Sequence, residues 1–324
     1  MSTILEVKDL KKYFPITRGV IFKKILGLIH AIDKINFSIQ ESETLGLVGE
    51  SGSGKTTTGK LVLGILKPTD GRILFEGKDL AIMSKEELKK ARVKMGVIFQ
   101  DPTSSLDPRK TAASIIGEPI EIHKKKLNLR EKKRRVIELI QEVGLGPEHL
   151  TRYPHEFSGG QLQRIAIARS LALHPKLVVA DEPTSALDVS VQAQILNLMQ
   201  DLQSRFNLSY LLISHDLSVV KHMSNRIGVM YLGKLLELCK SNDIFNNPQH
   251  PYTQALINVV PIPDPKIMRE KMKNILRGEI PSAIDPPKGC RFHPRCPNAN
   301  LKCSEVEPEL HEIRPDHYVA CHQR

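Results

Sequence analysis

Aromatic residues make up only 5% of this 324-residue chain. No cluster of them resembles the stacking platforms that RNA-binding sheets use. No apolar run reaches the roughly 18–20 residues needed to span a bilayer. The longest candidate, "IGVMYLGKLLELC", is broken by glycine and charge. The opening "MSTILEVKDLKKYF" has neither an apolar h-region nor a small-residue cleavage site, so we expect a mature, cytoplasmic start. Cysteine is scarce as well. There are five, four of them after residue 289, which argues against a secreted disulfide framework in a chain of this size. We find no internal repeat and no low-complexity tract.

What is present describes a globular protein, 40% hydrophobic and 26% charged, longer than one ordinary domain. A net charge of +11 is compatible with nucleic acid, an anionic membrane surface or a scattered solvated face. The basic runs "HKKK" (123–126) and "REKKRR" (130–135) fall on an amphipathic helical pattern. We therefore read them as a solvated helix face and expect no nucleic-acid partner.

Short alternating segments in residues 1–48, "ILEVKDL", "HAIDKINFSI" and "ETLGLVG", predict an antiparallel sheet and then a buried strand feeding a glycine loop. A helix is predicted from Lys55 to Lys67, stopped by Pro68. "RILFE" (72–76) and "KMGVIFQDP" (94–102) read as strands. Residues of about 103–157 read as helices with charged faces. In "REKKRRVIELIQEVGL", Val136, Leu139, Ile140 and Val143 fall at helical spacing. Beyond "PHEFSGGQLQR" (154–164), the continuous apolar strands "KLVVADE" and "YLLISHD" alternate with helices, which predicts a parallel, doubly wound core. From about residue 236 the composition shifts to Pro, Asn and finally Cys.

Several motifs carry chemistry. "GESGSGKT" fits G-x-x-x-x-G-K-[ST] and lies between an apolar strand and a helix. Gly49, Glu50, Ser51, Gly52, Ser53, Gly54 and Thr57 supply a curled backbone whose N–H groups can point at phosphate oxygens. Lys55 supplies a point charge to the β- and γ-phosphates, and Thr56 a hydroxyl for Mg²⁺. "LVVADE" delivers Asp181 and Glu182 to the strand end where ligands sit in such sheets. Asp181 is suited to hold the metal through a water, and Glu182 to polarise the water attacking the γ-phosphate. His215 of "SHD" ends the neighbouring strand, in reach of the γ-phosphate or that water. The second glycine turn, Ser158, Gly159, Gly160 and Gln161, opens a helix and is a second anion cradle in a chain whose nucleotide needs one. Taken alone, the turn would be a plain helix N-cap.

The ordered set of phosphate loop, Gln100, "SGGQ", "LVVADE", "SALD" and "SHD" resembles the ATP-binding-cassette ATPases over roughly residues 4–240. Phe157 stands where the family usually has leucine before Ser-Gly-Gly-Gln. The resemblance implies an α/β P-loop NTPase (RecA-like) cassette with an N-terminal antiparallel β subdomain and an α-helical subdomain. It also implies that two cassettes stack head to tail, so that Ser158, Gly159, Gly160 and Gln161 of one meet the γ-phosphate of ATP held by Lys55 of the other. Further expectations follow by position. Tyr13 stacks on adenine, Gln100 joins Thr56 and Asp181 around Mg²⁺, and Asp188 of "SALD" lies at the seam. Expected stretches are 1–102 (first part of the core with the β subdomain), 103–165 (helical subdomain), 166–240 (second part of the core) and 241–324 (C-terminal extension).

"PQHPYTQAL", "GEIPSAIDPPKGCRFHPRCP" and the segment "FPITRGVIFKKILGLIHAID" further resemble the dipeptide/oligopeptide importer ATPases, with nickel importers sharing much of the pattern. That branch implies an ATPase at the cytoplasmic face of the membrane, serving two permease subunits and a second cassette, identical or paralogous. An extracytoplasmic peptide-binding protein acts indirectly. A soluble ATPase acting on nucleic acid is the other class in view. Cys290, Cys296, Cys303 and Cys321 make a C-x5-C-x6-C-x17-C set without the close pairs usual for zinc. Such a set suits a [4Fe–4S] cluster, as such importer ATPases carry, with Zn²⁺ the alternative and His293, His317 and His322 as possible substitute ligands. Cys239 stands apart and reads as a small buried hydrophobe.

Overall fold

A computed structural model describes residues 2–18, 24–124, 127–258 and 278–324. The central part of "FPITRGVIFKKILGLIHAID" (19–23) and the end of "HKKK" (125–126) lie outside the described residues.

Two sheets organise the chain. The first is antiparallel, in the order β2 (Lys24–Gln40), β1 (Thr3–Arg18), β4 (Asp70–Phe75), β5 (Lys78–Asp79). The second has eight strands. Five of them, β6 (Met95–Ile98), β7 (Leu177–Asp181), β8 (Ser209–Ile213), β3 (Thr44–Val48) and β9 (Arg226–Tyr231), lie side by side and parallel. β10 (Lys234–Lys240) and the hairpin β11 (His311–Arg314) and β12 (His317–Val319) extend it antiparallel. The cysteine-bearing C-terminus, which composition alone set apart, thus adds strands to the main sheet.

The apolar strands are buried on both faces, as parallel strands between two layers must be. Leu177 and Val179 of β7, with Leu45, Leu47, Leu211 and Ile213, face a core built with Leu5, Ile35, Ile73 and Phe75 of the antiparallel sheet. Val178, Ala180, Tyr210 and Leu212 face the opposite way. Their core is built from α4 (Ala112–His123), α5 (Leu129–Glu142), α6 (Gly159–Ser170), α7 (Val189–Phe206) and α8 (Leu217–Met223), with Cys290, Phe292 and Cys303 joining the same cluster. Each such side chain taken from water is worth about 1.5–3 kcal/mol. In α5, Val136, Leu139 and Ile140 make the buried face, and Asn128 and Glu131 close a capping box at its start.

The helix after the glycine loop is shorter than its sequence pattern predicts. α1 spans Lys55–Val62 and stops at Gly64, which sits at φ +64°. Ile65 N–H donates to Lys60 C=O and Gly64 N–H to Leu61 C=O, the paired bonds of a Schellman cap. The glycine ends the helix one turn before Pro68 could.

A fully buried carboxylate ties the extension to the cassette. Glu237 of β10 has no solvent exposure. It accepts the backbone N–H groups of Gln249 and His250, each at 2.8 Å, and its Oε1 meets His317 Nε2 of β12 at 2.7 Å. Cys239, also buried, lies with Glu237 and His317 in a compact trio, but the carboxylate oxygens already have these partners. Replacement of Glu237 by Gln turns an amide donor toward a backbone donor. We expect E237Q to cost about 1–3 kcal/mol, read as a lower midpoint in denaturant or thermal unfolding; an unchanged midpoint contradicts this reading of the hub.

Candidate nucleotide site

Strand register brings the motif residues to one edge. Leu47 of β3 pairs with Ile213 of β8, Ile213 with Asp181 of β7, and Ala180 with Ile98 of β6. The residues next in chain order, the loop from Gly49, Glu182, His215 and Gln100, therefore emerge together at the C-terminal rim of the parallel strands, where such sheets bind ligands. Glu182 N–H donates to Ile213 C=O at 2.8 Å, locking that level.

The loop turns tightly. Gly49 has φ +150° and Gly54 φ +105°; a Cβ on either would approach a backbone carbonyl oxygen, of Met230 at 2.1 Å or of Ala31 at 2.5 Å. Only glycine fits both places. Lys55, at 6% exposure, donates from Nζ to Gly49 C=O at 2.6 Å and Glu50 C=O at 3.0 Å, beside Ser53 Oγ at 3.3 Å. Burial holds its pKa below the ordinary lysine range, against the opposing pull of Glu182, Asp181 and Glu50.

Thr56 Oγ1 donates to Asp181 Oδ1 at 3.1 Å. Burial raises the Asp181 pKa, with the Thr56 hydrogen bond opposing the shift. Glu182 is bracketed: Gln100 Nε2 donates to Oε2 at 2.7 Å, and His215 Nδ1 meets Oε1 at 3.0 Å. Its backbone is left-handed at φ +48°, a strained setting for a non-glycine residue and one concentrated at functional sites. Gln100 is thus tied to Glu182 rather than to the Thr56–Asp181 pair. Thr56 and Asp181 offer two hard oxygens side by side, the donor type Mg²⁺ takes.

Tyr13 lies on β1, its hydroxyl donating to Asp33 at 2.6 Å and its ring 4.4 Å from that of His30. Its pKa is raised, by burial first and then by the Asp33 hydrogen bond. Ser158 caps α6 in a reciprocal box with Gln161, at 3.4 and 3.0 Å, and Ser158 and Gly159 are exposed. A Cβ on Gly160 would come within 2.5 Å of Val191 of α7, whose N-cap is Asp188. Ser158 and Asp188 therefore open two helices packed side by side. Among the described residues, no hydrogen bond joins 158–161 to the phosphate loop of the same chain.

Residues outside the nucleotide-site motifs also reach the loop. Glu50 N–H donates to Tyr252 Oη at 2.9 Å. Tyr252 opens α10 (Pro251–Asn258), packs on Tyr231 at 4.7 Å and Phe292 at 5.4 Å, and takes its place beside His250. Burial lowers the His250 pKa to about 3, so its neutral ring can accept the Tyr252 N–H at 3.0 Å. "HPYTQAL" alone reads as an ordinary turn and helix; only the tertiary contact reveals this support.

Comparison with known proteins accords with this geometry. Residues 32–185 match the ABC transporter family, and residues 236–303 match the family described as oligopeptide/dipeptide transporter, C-terminal region. The oligopeptide transport ATP-binding protein AppF of Bacillus subtilis is 53% identical, covering 99% of this chain and 97% of the relative. OppF of Salmonella typhimurium, likewise an oligopeptide transport ATP-binding protein, is 48% identical over 99% and 96%. Among solved structures, the dimeric ATP-binding cassette MJ0796 bound to ADP and Pi is similar with a TM-score of 0.65 and 28% identity, over 73% of this chain and 98% of that one. The fold and rim define an ATP-binding-cassette ATPase. The chain belongs to the oligopeptide/dipeptide transporter branch of the ABC transporter ATPases.

Proposed function

We infer that this chain couples ATP hydrolysis to uptake of dipeptides or oligopeptides, working as a head-to-tail pair of cassettes beneath two permease subunits. The observation that carries this reading is the bracketed Glu182 beside a buried Lys55 on a chain whose relatives are named for peptide transport. Those relatives favour peptides over a nickel complex and over a nucleic-acid partner. An extracytoplasmic binding protein delivers the cargo, and the second cassette is an identical or a paralogous chain. No helix among the described residues is long and apolar enough to cross a membrane, which suits a peripheral subunit on the cytoplasmic face. Within this reading, residues 103–165 form the helical subdomain facing the permease. Residues 1–102 and 166–240 form the core, and 241–324 the branch-specific extension.

The proposed chemistry is phosphoryl transfer to water, driven by position and electrostatics. The N–H groups of residues 49–57 and the Lys55 ammonium hold the β- and γ-phosphates. Thr56, with Asp181 through water and with Gln100 once its amide leaves Glu182, would hold Mg²⁺, which would supply positive charge to offset that of the phosphate oxygens. Tyr13 meets the adenine. Glu182 accepts a hydrogen bond from the attacking water, and His215, joined to Glu182 through Nδ1, leaves Nε2 to meet the γ-phosphate. The exposed Ser158, with Gly159, Gly160 and Gln161, closes over the γ-phosphate of the opposite cassette, and Asp188 lies at the seam. The exposure of Ser158 and the dimeric form of the related cassette support this trans arrangement.

The four C-terminal thiols are proposed to hold a [4Fe–4S] cluster. None is in a disulfide, and Cys290, Cys303 and Cys321 are buried. Cys290 N–H donates to Cys303 C=O at 2.8 Å. Burial, with the neighbouring thiols adding, pushes the Cys290 pKa up to about 11 and raises those of Cys296 and Cys321. A bound cation is what makes such a group of thiolates affordable. The absence of close cysteine pairs in the sequence suits a cluster, whose role here is structural or redox-sensing.

Three outcomes test this reading. Glu182→Gln is expected to bind MgATP and to lose roughly 100-fold or more in turnover while dimers accumulate in gel filtration; undiminished hydrolysis rejects the role of Glu182. Ser158→Arg is expected to abolish most hydrolysis and to leave ATP binding by single chains near normal; lost binding in the monomer argues against a trans contact. Anaerobically purified protein is expected to be brown and to contain iron and sulfide, and a colourless preparation with stoichiometric zinc excludes the cluster.

A further inference from the structure

The C-terminal extension reaches the phosphate loop through a charged side chain that none of the nucleotide-site motifs contains. Arg295 lies at the end of the short turn His293–Arg295, one residue before Cys296, with its side chain 6% exposed. Its Nη1 donates to Glu50 Oε2 at 2.8 Å and its Nη2 to Oε1 at 3.1 Å, a bidentate pair. Nη1 also meets Tyr231 Oη at 3.3 Å. A guanidinium keeps its charge across the ordinary pH range, so the pair with Glu50 is an ion pair at any working pH. The same extension makes a second tie across the site: Arg291, next to Cys290, pairs with Asp33, the carboxylate that accepts the Tyr13 hydroxyl.

Glu50 is an awkward residue for its place. It follows the first glycine of a loop whose N–H dipoles and lysine are arranged to attract a polyphosphate. A free carboxylate there repels the same ligand. Arg295 offsets that charge with a guanidinium that the loop itself does not contain. The Tyr252 hydroxyl holds the Glu50 backbone from the same direction.

We propose that Arg295 is a positioning residue of the ATP site, neutralising Glu50 and thereby making the C-terminal extension part of the nucleotide-binding apparatus. This rests on reading the loop as the ATP site. The inference has a sign that simple mechanical support lacks. Removing the arginine charge exposes a repulsive carboxylate, whereas removing the carboxylate charge leaves a cation near the phosphates.

The test is equilibrium binding of a fluorescent ATP analogue with Mg²⁺ to full-length wild-type, R295Q, E50Q and E50Q/R295Q chains, with steady-state hydrolysis in parallel. Expected for R295Q is a Kd raised roughly tenfold, seen in KM more than in kcat. Expected for E50Q is a Kd equal to or below that of the wild type. The double variant is expected within about threefold of the wild type, because no uncompensated charge remains. Wild-type affinity in R295Q, weakening by E50Q comparable to that in R295Q, or a double variant at least as weak as R295Q would each overturn the proposal. Should R295Q fail to fold, E50Q alone decides by the direction of its change. A wild-type chain that binds no ATP would instead refute the nucleotide reading itself.

Discussion

An ammonium group withdrawn from water governs this molecule. Lys55 is almost wholly buried, and its Nζ rests on loop carbonyl oxygens. Burying a charge is costly unless partners compensate it, and carbonyl dipoles compensate less well than an anion does. A polyphosphate brings formal charge to the point where the loop N–H groups and the lysine converge. Asp181 and Glu182 stand close enough to act on the same ammonium, so lysine and carboxylates form one coupled electrostatic system that a polyphosphate and its metal would enter.

The rest of the architecture holds that system in register. Parallel pairing of β3, β8, β7 and β6 sets the loop, His215, Glu182 and Gln100 at one level. Two hydrophobic layers, one on each face, clamp the strands. The C-terminal extension is braced against the same edge from outside: by β12 on β10, by the buried Glu237 hub, and by the aromatic contacts of Tyr231, Tyr252 and Phe292 behind the loop. Ser158 and Asp188 open adjacent helices on an exposed surface, which is where a second cassette has to approach if it is to complete the site.

Much of this was legible in the residues themselves. Alternation in residues 1–48, unbroken apolar strands and the phosphate-loop spacing carry the cassette fold, because local pattern and global role agree there. The end of α1 was overestimated, since Pro68 is a conspicuous stop and Gly64 an inconspicuous one. The tail was harder to read. Its strands are short, its composition resembles a loop, and β12 makes sense only beside β10. The roles of Tyr252, Arg295 and Glu237 are absent from local sequence for one physical reason: each acts through a partner 12 to 245 residues away, and no local periodicity encodes such a pairing. The thiol set was visible as spacing, whereas the burial of Cys290, Cys303 and Cys321 needed coordinates.

In the proposed arrangement one chain holds a complete grip on ATP but only half of what hydrolysis requires. The most direct measurement is specific ATPase activity as a function of cassette concentration, with the second cassette supplied in equal amount if it is a different chain. Activity per chain is expected to fall toward zero on dilution while ATP remains bound. Constant activity per chain down to concentrations at which only monomers exist would contradict it.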